Sequence, residues 1–239
     1  MNNIDHIDIV VTHKCNFNCP FCIDKFRGSS DKEIDLQTID NWLGKIKQFA
    51  KPGCEVLLLG GDPMMLNVEK LIDIAKIIKF HGFSPIMSTN GSMKDNIKRI
   101  LPYYDWIQIT VYNQSQIDYW RPYKDKINIK LSGDSIFNME RLKWFDEATK
   151  DFVRRSISMY FTPEFEELCK DVEIWNLING LEWKRNGSYM YTFWNGIRFK
   201  KCIHGETNII DEPSVPKLYP NGNYNKTWNN EDMDNYLNI

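Results

Sequence analysis

Short apolar runs alternate with amphipathic helical stretches along most of this 239-residue chain, and no other feature restricts its fold as much. Asp5 to Thr12 gathers Ile7, Ile9, Val10 and Val11 into a run of strand length rich in β-branched residues. Asp35 to Ala50 places Leu36, Ile39, Leu43, Ile46 and Phe49 at spacings of three and four, the mark of a helix with one apolar face, and Pro52-Gly53 is expected to end it. Glu55 to Leu59 reads as a second strand, and Val68 to Phe80 repeats the helical spacing. Strands are then expected at Ser84 to Met87, Trp106 to Val111, Ile127 to Leu131 and Val153 to Tyr160, with helices at 92–101, 114–120 and 138–149 between them.

A βα series of this kind predicts an α/β fold with a mainly parallel sheet under covering helices. About six units suffice for a partial (β/α)6 TIM-like barrel, whose chemistry would sit at the C-terminal strand ends. Past residue 180 the rhythm gives way to aromatic and Asn-Gly-rich sequence. Asn195-Gly196 inside Tyr189 to Lys201 signals a two-residue hairpin, because both turn positions need positive φ. The expected organisation is a core over 1–180 and a small β-rich C-terminal extension over 181–239.

Charge excludes some functions. Thirty Lys and Arg against thirty-two Asp and Glu give a formal charge of −2, and no basic stripe of the kind nucleic-acid binders carry is visible. The apolar runs are far too short to cross a bilayer, which takes about 20 residues. Met1 to Asp8 holds acids where an export signal has bases, so a cytoplasmic protein is expected. Six cysteines, three of them within positions 15–22, suit thiolate ligands in a reducing compartment better than a disulfide framework.

Those three form Cys15-x-x-x-Cys19-x-x-Cys22, directly after the first predicted strand. Soft sulfur selects zinc or iron-sulfur clusters. A structural zinc site is closed by four ligands, whereas a cubane held by three cysteines leaves one iron open. Zinc completed by His13 or Cys202, which would make the chain a zinc-stabilised interaction module, stays open on ligand chemistry, as does a trio of unrelated buried thiols. Gly60-Gly61-Asp62-Pro63 follows the second strand, where a glycine pair permits close approach of a ligand to the backbone; an ordinary turn has the same composition. Ser88-Thr89-Asn90-Gly91 follows the third strand, Thr110 lies near the end of the fourth and Lys130 on the fifth, and capping or strand roles account for them equally well. Cys54 and Cys169 sit in apolar surroundings and read as inert thiols.

The cysteine loop, with Phe21 before its third thiol, resembles the signature of the radical S-adenosylmethionine (radical SAM) superfamily. The resemblance implies a 4Fe-4S cluster on Cys15, Cys19 and Cys22, with S-adenosylmethionine on the remaining iron. It implies reductive cleavage of that cofactor to a 5′-deoxyadenosyl radical, which abstracts hydrogen from a peptide or small molecule. An electron donor such as flavodoxin or ferredoxin is implied as partner. Gly60, Gly61, Asp62 and Pro63 resemble the family's Gly-Gly-Glu-Pro motif, with Asp in place of Glu; Phe21, Ser88, Asn90, Thr110 and Lys130 occupy positions similar to the family's adenine, ribose and carboxylate contacts. Cys202 and the turn at Pro220-Asn221-Gly222 look like a worn SPASM or twitch extension, able to act as a lid. Tyr112, Asn113, Asp134, Tyr160, Trp194 and Cys202 are candidate substrate contacts. An activating enzyme for a glycyl-radical enzyme and a 7-carboxy-7-deazaguanine synthase-like enzyme are the alternatives within the same family.

Overall fold

The computed structural model describes residues 4–19, 31–132, 138–160, 172–186, 189–202, 217–220 and 224–225. The fold class is α/β with mostly parallel strands, as the alternation predicts. The chain packs as two units, one of Met1–Ile107 with Pro213–Ile239 and one of Gln108–Glu212.

In the first unit, β1 (Ile4–Thr12) pairs in parallel with β2 (Ala50–Gly60), and β2 with β3 (Ser84–Thr89). Ile7, Ile9 and Val11 point to one face of β1, fully buried, while His6, Asp8, Val10 and Thr12 alternate onto the other. Helix α1 (Leu36–Ile46) is capped by Asp35, whose carboxylate accepts from Thr38 N at 3.0 Å, and it buries Ile39, Trp42, Leu43 and Ile46. Burying each of those large side chains stabilises the helix by about 1.5–3 kcal/mol, enough to outweigh its Asn and Thr content. Helices α2 (Val68–Phe80) and α3 (Lys94–Ile100) follow β2 and β3.

Two boundaries differ from the sequence expectation. Residues Lys47–Phe49 tighten into a 3-10 turn after Ile46, the last buried position of α1. Pro52-Gly53 then lies inside β2, where the register jumps from Ile4↔Ala50 to His6↔Glu55 and Gly53 takes φ 74°. A bulge absorbs the two helix breakers that periodicity assigns to a terminus.

The first unit also recruits the far end of the chain. Strand β10 (Lys217–Leu218) lies parallel to β1 with Asp8↔Lys217 and Ile9↔Leu218 in register, and β11 (Tyr224–Asn225) pairs antiparallel with β10. Lys217 is fully buried and its Nζ lies 3.1 Å from Asp8 Oδ2; His6 Nε2 lies 3.1 Å from Asp8 Oδ1. Tyr219, two positions on from Lys217, packs on Val10 and Leu59.

Strand β4 (Trp106–Val111) lies at the division. The second unit carries α4 (Gln114–Trp120), β5 (Ile127–Ser132), α5 (Met139–Thr149), β6 (Arg154–Tyr160), α6 (Val172–Gly180) and β7 (Lys184–Asn186). Strands β8 (Tyr189–Trp194) and β9 (Ile197–Cys202) form a hairpin through Asn195 at φ 48° and Gly196 at φ 74°, the turn that Asn-Gly predicts. Here β5, β6 and β9 run parallel, with β8 and β7 added antiparallel beyond β9. The stretch 181–239 is thus shared between the two units: the hairpin extends the second unit's sheet, and β10 extends the first's.

Candidate functional site

The chain leaves β1 at Thr12, passes buried His13, and enters the cysteine loop. Three sets of contacts fix that entrance. Residues 32–34 return across the end of β1: Thr12 bridges Glu33, Ile34 N donates to Val11 O at 2.9 Å, and Thr12 Oγ1 donates to Lys32 O at 3.4 Å. Glu33 takes Lys14 Nζ at 3.3 Å and, from α2, Lys70 Nζ at 3.1 Å. Burial pushes the Glu33 carboxyl up, but hydrogen bonds from Lys70 and Lys14, with their positive charges, outweigh it and hold it below its ordinary range. Finally, the residues after β2 dock on those after β1, with Gly61 N donating to Thr12 O at 2.9 Å and Asp62 N to Lys14 O at 2.8 Å.

This docking explains the glycine pair. A Cβ on Gly60 would stand 2.2 Å from Thr12 O, and one on Gly61 would stand 2.2 Å from Lys14 O and 2.6 Å from His13 O. Gly60 also takes φ 132°. The close approach is made by the backbone leading into the cysteine loop, so these glycines have a task before any ligand is present.

Asp62 is buried, at 2% exposure. Its Oδ1 accepts from Met64 N at 2.9 Å and Thr89 Oγ1 at 2.8 Å; its Oδ2 accepts from Asn90 N at 3.0 Å and lies 3.1 Å from the same hydroxyl. The bond from Met64 N caps the 3-10 turn Pro63–Met65, and the others tie the end of β2 to the end of β3. Burial raises the Asp62 carboxyl above its usual range, opposed by the hydrogen bonds from Met64, Asn90 and Thr89. From Asn90 the network continues: Asn90 Nδ2 donates to Asn16 Oδ1 at 2.8 Å, Asn16 Nδ2 donates to Ser92 Oγ at 2.9 Å, and Ser92 N donates to Asn90 Oδ1 at 2.9 Å. Asn16 belongs to the cysteine loop, so a continuous chain of hydrogen bonds joins Asp62 to the residue beside Cys15.

Cys15 and Cys19 are partly exposed and free of disulfides, and Cys15 Sγ accepts the amide of Phe17 at 3.4 Å. An accessible sulfur that already receives an N–H suits a thiolate ligand. Cys54 is the opposite case: buried, with burial first and then the charges of Asp5 and Glu55 pushing its thiol up to about 12. It fits the inert role expected of it. Phe21 and Cys22 lie outside the described residues. Among the described residues no three His, Cys, Asp or Glu groups are gathered as metal ligands, so the cluster site rests on a trio of which two members are described.

The structure brings together Gly60, Gly61, Asp62, Pro63, Asn90 and the cysteine loop. Ser88 is half-buried on β3 beside them in sequence. Thr89, Asn16 and Ser92, whose side chains join this network, are not anticipated as site residues. Thr89 carries the only signal, as the apolar-facing position in a strand that ends Met87-Ser88-Thr89; Asn16 has none, because its partners lie more than seventy residues away.

In the second unit, Thr110 and Lys130 are half-buried on β4 and β5. Tyr112 N donates to Gln116 Oε1 at 2.6 Å and its carbonyl accepts from Arg141 Nη2. Asn113 caps α4, accepting from Gln116 N at 3.1 Å and Ser115 Oγ at 2.8 Å, so its side chain is engaged locally. The parallel register sets Tyr160 opposite Cys202, uniting two substrate candidates at the C-terminal ends of β6 and β9. Trp194 pairs with Ile197 at the other end of β9, because a hairpin strand runs back the opposite way; it does not join that pair. Asp134 lies outside the described residues. Gln108, Asn128 and Ser156, from β4, β5 and β6, share hydrogen bonds of 3.1–3.4 Å and form a polar row not foreseen from sequence.

A GTP 3′,8-cyclase of Clostridium perfringens is 33% identical over 101 residues, covering 41% of this chain and 31% of the cyclase, so the chain matches under a third of that relative's length. A candidate glycyl-radical enzyme activating enzyme of Methanocaldococcus jannaschii is 25% identical over 174 residues, covering 69% of this chain and 68% of the relative. Among solved structures, Streptococcus suis SuiB bound to precursor peptide SuiA aligns over 100% of this chain and 64% of its own, with a TM-score of 0.64 at 11% identity. Native anSMEcpe with bound AdoMet and the Cp18Cys peptide aligns over 64% of this chain and 50% of its own, with a TM-score of 0.50 at 15% identity. The fold shared with these structures is the partial TIM-like barrel. The family model of the Radical SAM superfamily matches residues 9–143, a span that opens in β1 and takes in the cysteine loop and both loops tied by Asp62. The chain belongs to the radical SAM superfamily.

Proposed function

We propose that the chain uses Cys15, Cys19 and Cys22 to hold a 4Fe-4S cluster and acts on a peptide or small-molecule substrate, with a flavodoxin or ferredoxin as electron donor. Family membership carries the general chemistry, a radical mechanism that cleaves S-adenosylmethionine. When bound, such a cluster would supply the single electron that splits a carbon–sulfur bond of that cofactor, and the released 5′-deoxyadenosyl radical would take hydrogen from substrate. The observation that supports the assignment most is the way two partly exposed thiols outside any disulfide, Cys15 and Cys19, are presented on a loop knitted to the ends of β2 and β3. Those strand ends are where a barrel of this class positions its reactants. Gly60, Gly61, Pro63, Ser88 and Asn90 are proposed to line the cofactor, and Tyr160 with Cys202 the substrate.

A second reading, activation of a partner protein by placing a radical on its glycine, is favoured by the relative of that name, which this chain matches over 68% of the relative's length. Under it the substrate is a folded protein, and glycyl-radical signal in a co-expressed partner would distinguish it.

Anaerobic purification should give a brown protein with about four irons per chain. Dithionite and S-adenosylmethionine should then yield 5′-deoxyadenosine, and Cys19→Ala should abolish it. Zinc in place of iron, or undiminished 5′-deoxyadenosine from the variant, would overturn the assignment.

A further inference from the structure

We infer that Asp62 is a positioning residue that sets the cysteine loop through Thr89, Asn90 and Asn16, and that its carboxylate does not itself receive the cofactor. The inference rests on the radical SAM reading of the site but concerns how this chain's own residues are held. A carboxylate offers about four acceptor directions. Three donors engage Asp62, all within 2.8–3.1 Å: Met64 N, Asn90 N and the Thr89 hydroxyl, whose one proton is shared between the two oxygens. An ammonium group would have to reach a side chain at 2% exposure and compete there with two backbone amides and a hydroxyl already bound to it.

The geometry also accounts for aspartate where the family's motif has glutamate. The carboxylate must cap a turn that begins at its own residue, receiving Met64 N from two positions on, while meeting β3 on its other oxygen. The one-methylene side chain of aspartate suits that local cap. One methylene more would carry the oxygens past Met64 N and into buried Thr89.

The effect reaches the thiols by a relay of named bonds. Asp62 fixes Asn90 N, Asn90 presents its amide to Asn16, and Asn16 in turn holds Ser92, closing a ring between the β3 end and the residue next to Cys15. The backbone bond from Asp62 N to Lys14 O grips the same segment from its other side.

The test uses the full-length protein and reads amide hydrogen exchange in the chain without cluster or cofactor, followed by S-adenosylmethionine binding and the cofactor-induced change in the cluster's electron paramagnetic resonance after anaerobic reconstitution. Asp62→Glu is expected to raise exchange at Met64, Asn90 and residues 13–19 by roughly tenfold, the loss of about one satisfied buried hydrogen bond. It should weaken S-adenosylmethionine binding by a similar factor. Thr89→Val, a milder change that removes only the hydroxyl, should loosen the same amides, and Thr89→Ser, which keeps the hydroxyl, should restore their protection. Asn16→Ala should loosen residues 13–19 while Met64 and Asn90 stay protected.

Wild-type exchange in Asp62→Glu together with equal or tighter cofactor binding would show that the carboxylate meets the ligand, and the inference would be lost. Unchanged exchange at 13–19 in Asn16→Ala would remove the relay. The exchange measurements need no turnover, so they decide the positioning role even if no 5′-deoxyadenosine is ever formed, and failure here leaves the radical reaction standing.

Discussion

A methyl group at position 61 would lie 2.2 Å from the carbonyl oxygen of Lys14, while one at position 53 would meet nothing within 4 Å. The two glycines therefore separate two costs that sequence alone merges. Gly53→Ala adds only the strain of a left-handed residue at φ 74°, about 1–2 kcal/mol. Gly61→Ala must push the backbone entering the cysteine loop away from β2, a steric and hydrogen-bond loss expected to reach about 3–4 kcal/mol. Chemical denaturation of both variants should show that order, and only Gly61→Ala should lower the iron retained after reconstitution; equal effects would mean the close approach is relieved cheaply. The sequence announces that something approaches Gly60-Gly61 but not what. A turn, a ligand and a second stretch of backbone all ask for the same missing Cβ, and the answer lies with Thr12, His13 and Lys14, nearly fifty residues upstream.

Elements whose signal is local were readable and those defined by distant partners were not. Strand β4 and helix α4 fall where period two and period 3.6 put them, Trp106–Val111 and Gln114–Trp120. Helix α6 shows Ile174 and Ile178 at the right spacing, but Asn176, Asn179 and Gly180 dilute it. Strand β10 is two residues long and exists only because β1 offers an edge. The closure of the cysteine loop is similar, since Glu33 finds its meaning between Lys14 and Lys70 of α2. That ion-pair trio sets a pH dependence. Glu33 binds its proton less readily folded than unfolded, so it contributes stability above the ordinary value of 4.5 that is lost as pH falls through its lower folded value. Glu33→Gln should remove this part of the acid limb, leaving stability flatter than in the wild type as pH falls below the ordinary value of 4.5. An acid limb of unchanged steepness would assign it to other carboxylates.

At the scale of the whole chain, the C-terminal stretch decides between a detachable lid and an integral edge. A lid reading of the residues after Cys202 expects a chain ending there to fold normally and fail only in turnover. The buried contacts argue otherwise. Removing Lys217 leaves Asp8 at 6% exposure without the lysine beside it, and breaking a buried ion pair from one side costs about 3–5 kcal/mol. Leu218 and Tyr219, nearly fully buried, add about 1.5–3 kcal/mol each in lost apolar burial. Against a total stability of about 5–15 kcal/mol, the truncated chain should lose most of its cooperative unfolding transition in urea. Lys217→Met tests the ion pair without shortening the chain, and Asp8→Asn with Lys217→Met should be less destabilised than the sum of the two single changes, because the first leaves no charge behind for the second to strand. Truncation with an unchanged urea midpoint would detach β10 from the stability of the first unit. The expected result ties the last strand of the chain to the first, so that the strand leading into Cys15 is held on one side by β2 and on the other by residues two hundred positions away.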